Sequence, residues 1–465
     1  MKISFHGAAR TVTGSKHLLT LSDGRKILLD CGLFQGGKDI QSLNHHFGFD
    51  PKEVSAVVLS HAHIDHSGLL PKLVKEGFTG PIYCSPATAD LVEILLKDSA
   101  KIQEEDTKFI NKRRMSSGLS PIQPLYTMKD AEVALSRLVD RKMNNYFEVI
   151  PGIECMYTEV GHILGSCAVN LNVTEKGKTR KICFTGDIGR YGHPFLKNPE
   201  KFPQADIIIC ESTYGDSLHD DAALNEKVFY EIVQETCIER KGKLIIPAFS
   251  VGRTQEIVYA LNKLDLAGKL PPIRVFVDSP LSIAATEITK KNKACYNKHI
   301  LEVMEKDEDP FDFKNLVYIS EKEDSQALND YKDPCIIISA SGMAEFGRIK
   351  HHIAHNIEKE KNTILIVGYC EPNSLGARLL RDEPQVRIFG QYMNKIAQIK
   401  KIKSFSAHGD YSDMLHFLSC QDPKKVDKLF LVHGEYPVQN NFMTKLIKAG
   451  YDFIEIPELH QEFFV

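Results

Sequence analysis

Three histidines and an aspartate stand close together directly after an apolar run that is typical of a buried strand. The run SAVVLS is followed by His61, His63, Asp65 and His66. Because residues i and i+2 of a strand share a face, His61 and His63 can aim at one point, whereas Asp65 and His66 on the next turn can face a second point. Imidazole and carboxylate ligands without a thiolate favour zinc, with manganese or iron as alternatives. The segment therefore predicts a metal site.

The motif HAHIDH resembles the HxHxDH signature of the metallo-β-lactamase superfamily, and further motifs of that family follow in order. LLDCG supplies Asp30, which resembles an aspartate that supports the metal loop without binding metal. GHILGS supplies His162 and FTGDIG supplies Asp187. A lone Gly-His or Gly-Asp pair is common in turns, but the ordered combination, each after or inside an apolar strand, is specific.

A second set of motifs narrows the resemblance to the β-CASP branch of nucleic-acid-processing nucleases, which includes RNA nucleases related to the cleavage-and-polyadenylation endonuclease. These motifs are CEST with Glu211, PAFSVGRTQE, SASGM, SFSAHGD with His408 and LVHGE with His433. The match covers essentially the whole chain. It implies a zinc-dependent ribonuclease that hydrolyses RNA phosphodiester bonds.

Carried over to this sequence, the resemblance implies two Zn²⁺ per chain. The implied ligands are three histidines for the first ion, an aspartate and two histidines for the second, and one bridging aspartate: His61, His63 and His162; Asp65, His66 and His433; and Asp187. Two such ions, ~3.5–4 Å apart, would clamp the attacking and leaving oxygens of an in-line displacement. Zinc also lowers the pKa of bound water to about 7, so a hydroxide shared by the two ions could attack phosphorus.

The same resemblance implies the proton donor. His408 is the expected general acid for the leaving ribose oxygen, and Glu211 is expected to orient and charge its imidazole. The predicted catalytic residues are thus Asp65, His408 and Glu211. Taken alone, His408 could instead cap the helix that SAHGDYSD begins, and Glu211 could be an ordinary carboxylate at a strand end.

Five further residues are candidates for binding RNA phosphates. Ser339, Ser341 and Gly342 lie at a strand end before a helix, where hydroxyls and backbone amides can receive phosphate. Arg253 and Thr254 open another helix. All five could instead only cap and pack.

The pattern of elements predicts an α/β protein in which an αββα metallo-β-lactamase sandwich carries an inserted parallel α/β domain. Short β-branched runs with Gly-centred turns fill the first part of the chain, interrupted by helices at Thr88–Arg114 and Met128–Leu138. After about residue 215 strands alternate with helices, including one expected over Ser282–Glu305, which is typical of a parallel sheet. The expected domains are 1–212, the inserted 213–387 and a return segment 388–465.

Composition limits the functional classes. At 465 residues the chain is expected to form two domains, and 58 Lys and Arg against 61 Asp and Glu leave no overall basic signature for nucleic acid. The basic clusters Lys108–Arg114 and Lys395–Lys403 could be nucleic-acid patches or merely solvated faces. Without a secretory leader, a long apolar run or a CxxC pair among eleven cysteines, the sequence predicts no membrane contact and a reduced cytoplasm.

Three alternatives compete with a ribonuclease. A small-molecule hydrolase of the superfamily would need neither the inserted domain nor His408 and His433. A DNA nuclease of the repair branch resembles this chain more closely, but shows valine where His433 stands here. A scaffold subunit without activity would have lost ligands that this sequence retains.

Single-stranded RNA is therefore the expected substrate. With no module expected before the metal domain or after the return segment, we expect a minimal enzyme with weak sequence preference. Internal cutting versus 5′ trimming, the natural RNA target and the oligomeric state, with a homodimer among the options, stay open.

Overall fold

The computed structural model describes residues 1–219, 222–368, 370–371, 373–402 and 406–465. Four residues of predicted features lie outside the described residues: Lys403 of the second basic cluster, Ser404 and Phe405 of SFSAHGD, and Tyr369, which ends the apolar run TILIVGY that predicts a strand. The described strands are, in chain order, β1 (Lys2–Gly7), β2 (Lys16–Thr20), β3 (Lys26–Leu29), β4 (Val54–Val58), β5 (Ile82–Cys84), β6 (Leu138–Asp140), β7 (Phe147–Ile150), β8 (Ile153–Glu159), β9 (Cys167–Glu175), β10 (Lys178–Phe184), β11 (Ile207–Glu211), β12 (Lys243–Pro247), β13 (Arg274–Val277), β14 (Leu316–Tyr318), β15 (Cys335–Ser339), β16 (Thr363–Val367), β17 (Gln385–Ile388), β18 (Gln391–Asn394), β19 (Gln398–Ile402), β20 (Lys428–Val432), β21 (Ile454–Glu455) and β22 (Glu462–Phe464).

The α-helices of the described segments are, in the same order, α1 (Lys38–Ser42), α2 (Ile64–Ser67), α3 (Leu70–Lys75), α4 (Pro86–Ser116), α5 (Met128–Leu135), α6 (Ala222–Val233), α7 (Arg253–Leu266), α8 (Pro280–Lys291), α9 (Lys298–Met304), α10 (Lys322–Ala327), α11 (Arg348–Asn356), α12 (Leu375–Leu380), α13 (Tyr411–Leu418) and α14 (Tyr436–Lys448). Within the described residues, no helix is both long and apolar enough to cross a membrane.

The chain divides into two compact units, Met1–Leu218 with His408–Val465, and His219–Ala407. In the first unit two seven-stranded sheets face each other, with the orders β22-β1-β2-β3-β4-β5-β6 and β21-β20-β11-β10-β9-β8-β7. Alternation along β11 shows the layering: Ile207 and Ile209 belong to the core between the sheets, whereas Ile208 and Cys210 pack with Met414 and other residues of α13 and α14. The expected αββα sandwich is confirmed.

The second unit contains a six-stranded sheet of order β14-β13-β15-β12-β16-β19, in which every pair is parallel. β12, β15 and β16 are buried throughout, as expected for a parallel sheet covered by helices. The strands β17 and β18 form a separate antiparallel hairpin. An inserted parallel α/β domain is therefore confirmed.

The units divide later in the sequence than the expected boundaries at 212/213 and 387/388. β19 pairs with β16 of the inserted sheet, and β17 pairs with β18 in the same unit, so the chain returns to the sandwich at His408 rather than near residue 388. The expected helix over Ser282–Glu305 is also wrong in detail. It is two helices, because Asn292 leaves the helical backbone conformation after α8 and the Asn297 side chain caps the start of α9.

Candidate metal centre

The HAHIDH segment folds as the end of a buried strand followed by a single helical turn. His61 and His63 follow β4, and Asp65 and His66 lie on α2. The backbone of the LLDCG segment holds this turn, since the Cys31 amide donates to the His66 carbonyl at 2.7 Å. A Cβ on Gly32 would lie 1.6 Å from the Asp65 carbonyl oxygen, so this close approach requires glycine.

Three other candidate residues reach the same place because their strands are parallel neighbours. β10, β11 and β20 run side by side in one direction, and Asp187, Glu211 and His433 stand at or just after their carboxyl ends. His433 has a φ of 51°, a left-handed conformation that costs a non-glycine residue energy. Its amide donates to the Ala8 carbonyl at 2.7 Å, which helps to hold it there. Strain of this kind is common where a side chain must point at a functional site.

The predicted ligands converge into two groups whose ligand atoms lie within 4.8 Å of one another. The groups are His61, His63, His162 and Asp187, and Asp65, His66 and His433. The structure thus brings together the residues of each predicted ligand set, and their role as ligands stays a prediction. A third group of the same kind joins Asp187, Glu211, His408 and His433. All of these residues belong to the sandwich unit.

The chemistry of these atoms fits divalent cations. Nδ1 of His63 lies 3.1 Å from Nε2 of both His61 and His162. Nε2 of His66 and Oδ1 of Asp187 are buried and have no hydrogen-bond partner among the described residues, although they lie 3.3 Å apart. Burial lowers the pKa of His66, but the Asp187 and Asp30 carboxylates outweigh it and raise that pKa well above its usual value, which shows that this position favours a positive charge. A metal cation between Nε2 and Oδ1 would supply that charge. The donor set of nitrogen and carboxylate oxygen suits zinc.

Hydrogen bonds fix which ring nitrogen three of the histidines present to a cation. Asp30, fully buried, accepts from Nδ1 of His66 at 2.6 Å. The Ser60 hydroxyl donates to Asp30, so it must accept from Nδ1 of His61, 3.0 Å away. Each of these rings therefore carries its proton on Nδ1 and turns Nε2 towards the metal centre.

Thr213 performs the same task for the third ring. Its hydroxyl donates to the His433 carbonyl at 3.1 Å and therefore accepts from Nδ1 of His433 at 2.9 Å. Sequence reasoning found Asp30 but missed Ser60 and Thr213. The available signal was their position, since Ser60 directly precedes HAHIDH and Thr213 stands two residues after Glu211.

Burial sets the charge state of the first ligand group. Desolvation lowers the pKa of His61 and His162 well below the usual value, and lowers that of His63 to about 4. These rings are therefore neutral at neutral pH. The neutral ring is the form that binds a metal ion.

His408 lies beside the ligands with a carboxylate behind it. Its Nδ1 is 3.1 Å from both carboxylate oxygens of Glu211, and its Nε2 is 3.9 Å from Asp187. Burial lowers the pKa of His408, but the carboxylates of Glu211 and Asp187 outweigh it and raise the pKa to about 9. A protonated imidazole is thus available at neutral pH, with one ring nitrogen bound and the other facing the metal ligands.

Comparisons with known protein families cover most of the chain. The metallo-β-lactamase superfamily model matches residues 17–223, the β-CASP domain model matches 254–379, and a model described as a Zn-dependent metallo-hydrolase RNA specificity domain matches 392–457. The chain is 35% identical to a ribonuclease of Thermus thermophilus over 94% of its own length and 93% of the relative. The chain belongs to the β-CASP branch of the metallo-β-lactamase superfamily.

Other relatives cover the chain almost as fully. An RNase J-like protein of Methanocaldococcus jannaschii is 31% identical over 93% of this chain and 92% of its own length. The transcription termination factor FttA of Methanosarcina mazei is 27% identical over 94% of this chain and 67% of its own length. Membership of this branch makes the protein a metal-dependent hydrolase, as the sequence predicts.

The five predicted phosphate-binding residues lie in the inserted unit of this β-CASP protein. Thr254 and Ser339 are buried, and their hydroxyls donate to the carbonyls of Phe249 and Asp278. Arg253 is 6% exposed and its guanidinium pairs with Glu256. These contacts favour structural roles for the three.

Ser341 and Gly342 occupy the loop after β15. The Ser341 hydroxyl lies on the surface with a long 3.4 Å contact to the Phe346 carbonyl, and a Cβ on Gly342 would lie 2.6 Å from the Phe249 ring. A phosphate role therefore stays a prediction, best supported for Ser341.

Proposed function

We propose that the protein is a zinc-dependent ribonuclease that hydrolyses phosphodiester bonds of single-stranded RNA. The observation that carries this proposal is the convergence of the two ligand groups with the imidazole of His408 beside them. Two Zn²⁺ would be held by the first group, His61, His63 and His162, and by the second, Asp65, His66 and His433, with Asp187 shared.

Two zinc ions bound there would supply Lewis acidity to water and to the phosphoryl oxygens. The chain's own residues supply the rest of the chemistry. Glu211 holds the His408 ring through Nδ1, so the proton that would pass to the departing ribose oxygen is the one on Nε2. Asp30, Ser60 and Thr213 keep the ligand rings in the tautomers that bind cations.

Three observations support RNA as the substrate. The relatives in Thermus thermophilus and Methanocaldococcus jannaschii are named as ribonuclease and RNase J-like protein. In addition, the family model that matches residues 392–457 is described as an RNA specificity domain. His433 also favours RNA, because DNA nucleases of the repair branch are expected to have valine at this position.

The test is purified protein incubated with 5′-labelled single-stranded RNA and, in parallel, with DNA of the same sequence. We expect cleavage of RNA at a rate well above that of DNA, and the ladder of products distinguishes internal cutting from 5′ trimming. Preferential cleavage of DNA would make the repair-branch nuclease the correct assignment. Hydrolysis of neither nucleic acid, with hydrolysis of small esters or lactams, would favour the small-molecule hydrolase.

Metal content is measured on the same preparation. Elemental analysis of protein purified without chelators should find close to two zinc equivalents per chain, because both ligand groups are complete. Zero or one equivalent under metal-replete conditions would contradict the two-metal site. We also propose a cytoplasmic location, since the cysteines are thiols rather than disulfides, as is usual in a reducing compartment.

A further inference from the structure

The β17–β18 hairpin places an aromatic residue in an unfavourable backbone conformation. Ile388 pairs with Gln391, so Phe389 and Gly390 form a two-residue turn, with φ of 50° and 84°. Positive φ at both turn positions is the pattern of a type I′ turn, in which asparagine, aspartate or glycine is favoured at the first position. A bulky side chain at positive φ is uncommon and costly. Hairpin formation alone therefore does not explain a phenylalanine here.

The Phe389 ring is presented on the surface rather than buried. It is 54% exposed. The His351 ring from α11 lies against it with centroids 4.6 Å apart and an interplanar angle of 35°, and the Lys350 ammonium lies 5.4 Å from its centroid. The ring is thus held by its neighbours and still open to solvent. A second ring from a ligand could stack on its exposed part.

A second aromatic residue and a second cation lie on the same hairpin. Tyr392 is 72% exposed and stands directly across the two strands from Arg387, which is also exposed. Nε of Arg387 donates to the Gly390 carbonyl at 3.1 Å, so its guanidinium is held beside the turn. Within the described part of the chain, Arg387 forms no ion pair. Its charge is therefore available to an anion.

Exposed aromatic rings interleaved with cations suit one kind of partner. Unpaired bases stack on aromatic side chains whatever their sequence, while Lys and Arg contact the phosphates between them. We propose that the platform formed by Phe389, Tyr392, Arg387, Lys350 and His351 binds single-stranded RNA by base stacking, as a substrate-binding surface separate from the metal ligands. This proposal rests on the proposed ribonuclease function.

The surrounding loop adds support from a second direction. Ser341, the best-supported candidate for a phosphate contact, lies on the loop that leads into α11, the helix that carries Lys350 and His351. Lys350 donates to the Glu345 carbonyl of that loop at 3.1 Å, and its ammonium lies 3.6 Å from the Glu345 carboxylate, so Arg387 is the platform cation without an ion pair among the described residues. A strand of RNA that follows this loop would reach the platform without leaving the inserted unit.

Phe389→Asn is the decisive variant, because asparagine is a preferred residue for this turn. The thermal midpoint of the full-length protein should stay the same or rise, whereas a merely structural role for the ring would lower it. In single-turnover cleavage of a labelled 20-nucleotide RNA, the half-saturating enzyme concentration should rise about 5- to 150-fold, the cost of losing one stacked base. The maximal rate should change little.

Tyr392→Thr should weaken binding in the same way, since threonine keeps the strand. Phe453→Asn is the matched control: Phe453 is 66% exposed but lies in the sandwich unit, and it should leave the half-saturating concentration unchanged. All variants should hydrolyse bis(p-nitrophenyl) phosphate at the wild-type rate, because this small phosphodiester reaches only the metal site.

The outcomes separate the two proposals. If the wild type cleaves RNA and both platform variants have its half-saturating enzyme concentration, the platform is overturned and the ribonuclease proposal stands. If a platform variant changes the native mass of the protein without changing RNA saturation, the surface contacts protein and the platform is again wrong. If the wild type hydrolyses the small phosphodiester but not RNA, both proposals fall.

Discussion

Nδ1 of His408 lies 3.1 Å from both carboxylate oxygens of Glu211, at the end of a buried strand of the sandwich. Burial disfavours the charged ring, but the two neighbouring carboxylates more than compensate and raise the pKa of His408 to about 9. Glu211 thus orients the ring through Nδ1, and Nε2 holds a proton on the side of the candidate metal ligands.

Removing this imidazole should separate proton donation from metal binding. His408→Ala should keep both zinc ions and slow single-turnover RNA cleavage about 10²–10⁴-fold, the usual contribution of general acid–base catalysis. Metal content and cleavage are measured on the same preparation. Loss of a metal would instead make His408 a ligand, as its place in the third ligand group allows.

His433→Ala is the matched comparison, since it removes an imidazole only 5.6 Å away by ring centroids. This variant should reduce occupancy of the second metal site, and activity should fall with the metal. If His408→Ala cleaved RNA at the wild-type rate, His408 could not be the general acid.

The pH–rate profile should report the carboxylate behind the acid. A general acid must be protonated, so the rate falls as pH rises through the pKa of His408. Glu211 raises that pKa, and Glu211→Gln removes the charge while keeping the shape of the side chain. The alkaline limb should therefore move to lower pH, with zinc content unchanged.

A limb that stays in place in Glu211→Gln, or moves to higher pH, would contradict the assignment. His408→Ala provides the control for that limb. Its profile should lose the limb altogether, because the titrating group is gone.

The candidate metal ligands could be predicted from the sequence because each stands next to an apolar strand in a motif of fixed order. Asp187, Glu211 and His433 are far apart in sequence, yet they meet because β10, β11 and β20 are parallel neighbours, which places their carboxyl ends at one edge. Two layers of sheet and an inserted parallel unit follow from the same periodicities. Local pattern and family order were sufficient for this much.

What the sequence could not provide depends on contacts between distant segments. The Ser60 hydroxyl donates its proton to Asp30, and the Thr213 hydroxyl donates its proton to the His433 carbonyl. Each hydroxyl therefore accepts a hydrogen bond from a histidine ring, and neither contact can be read from local sequence. The return boundary was predicted too early because β19 is a short strand whose partner, β16, lies in the inserted sheet. Apolar periodicity identifies a strand but not the neighbour with which it pairs.

The hydrogen bonds behind the ligand rings should control metal affinity. Asp30→Asn replaces the carboxylate that accepts from Nδ1 of His66 with a neutral amide. The ring then loses the charged acceptor that holds it in the tautomer that binds metal. Zinc affinity should fall about 10- to 100-fold, the usual cost of losing such a partner. Competition with a chromophoric chelator measures it.

Thr213→Val tests the same idea at His433, and Thr213→Ser is its matched control because serine restores the hydroxyl. Valine should weaken zinc binding and serine should largely preserve it. Equal affinity in the valine variant and the wild type would show that Thr213 does not orient His433.

A buried charge network should stabilise the inserted unit. Asp278 follows β13 and is fully buried; its Oδ1 accepts from Arg348 at 2.7 Å, and its Oδ2 lies 2.5 Å from Nε2 of His352 and accepts from Ser325 at 2.6 Å. Asp278→Ala would leave Arg348 and His352 without their carboxylate. The free energy of unfolding of this unit should fall by about 3–5 kcal/mol, the usual cost of breaking a buried ion pair from one side.

The pH dependence of this stabilisation has a definite sign. Burial alone would raise the pKa of Asp278, but the hydrogen bonds from His352, Ser325 and Arg348 outweigh it and hold the pKa below its ordinary value. A carboxylate whose pKa is lowered by folding stabilises the protein above its unfolded pKa of about 3.9, and loses that effect as pH falls through the folded value. Amide exchange of β13 and β15 should therefore differ strongly between wild type and Asp278→Ala at pH 7, and the difference should shrink in acid. Ser325→Ala, which removes one neutral hydrogen bond, should show a smaller difference; a gap between wild type and Asp278→Ala that widens as pH falls would contradict this account.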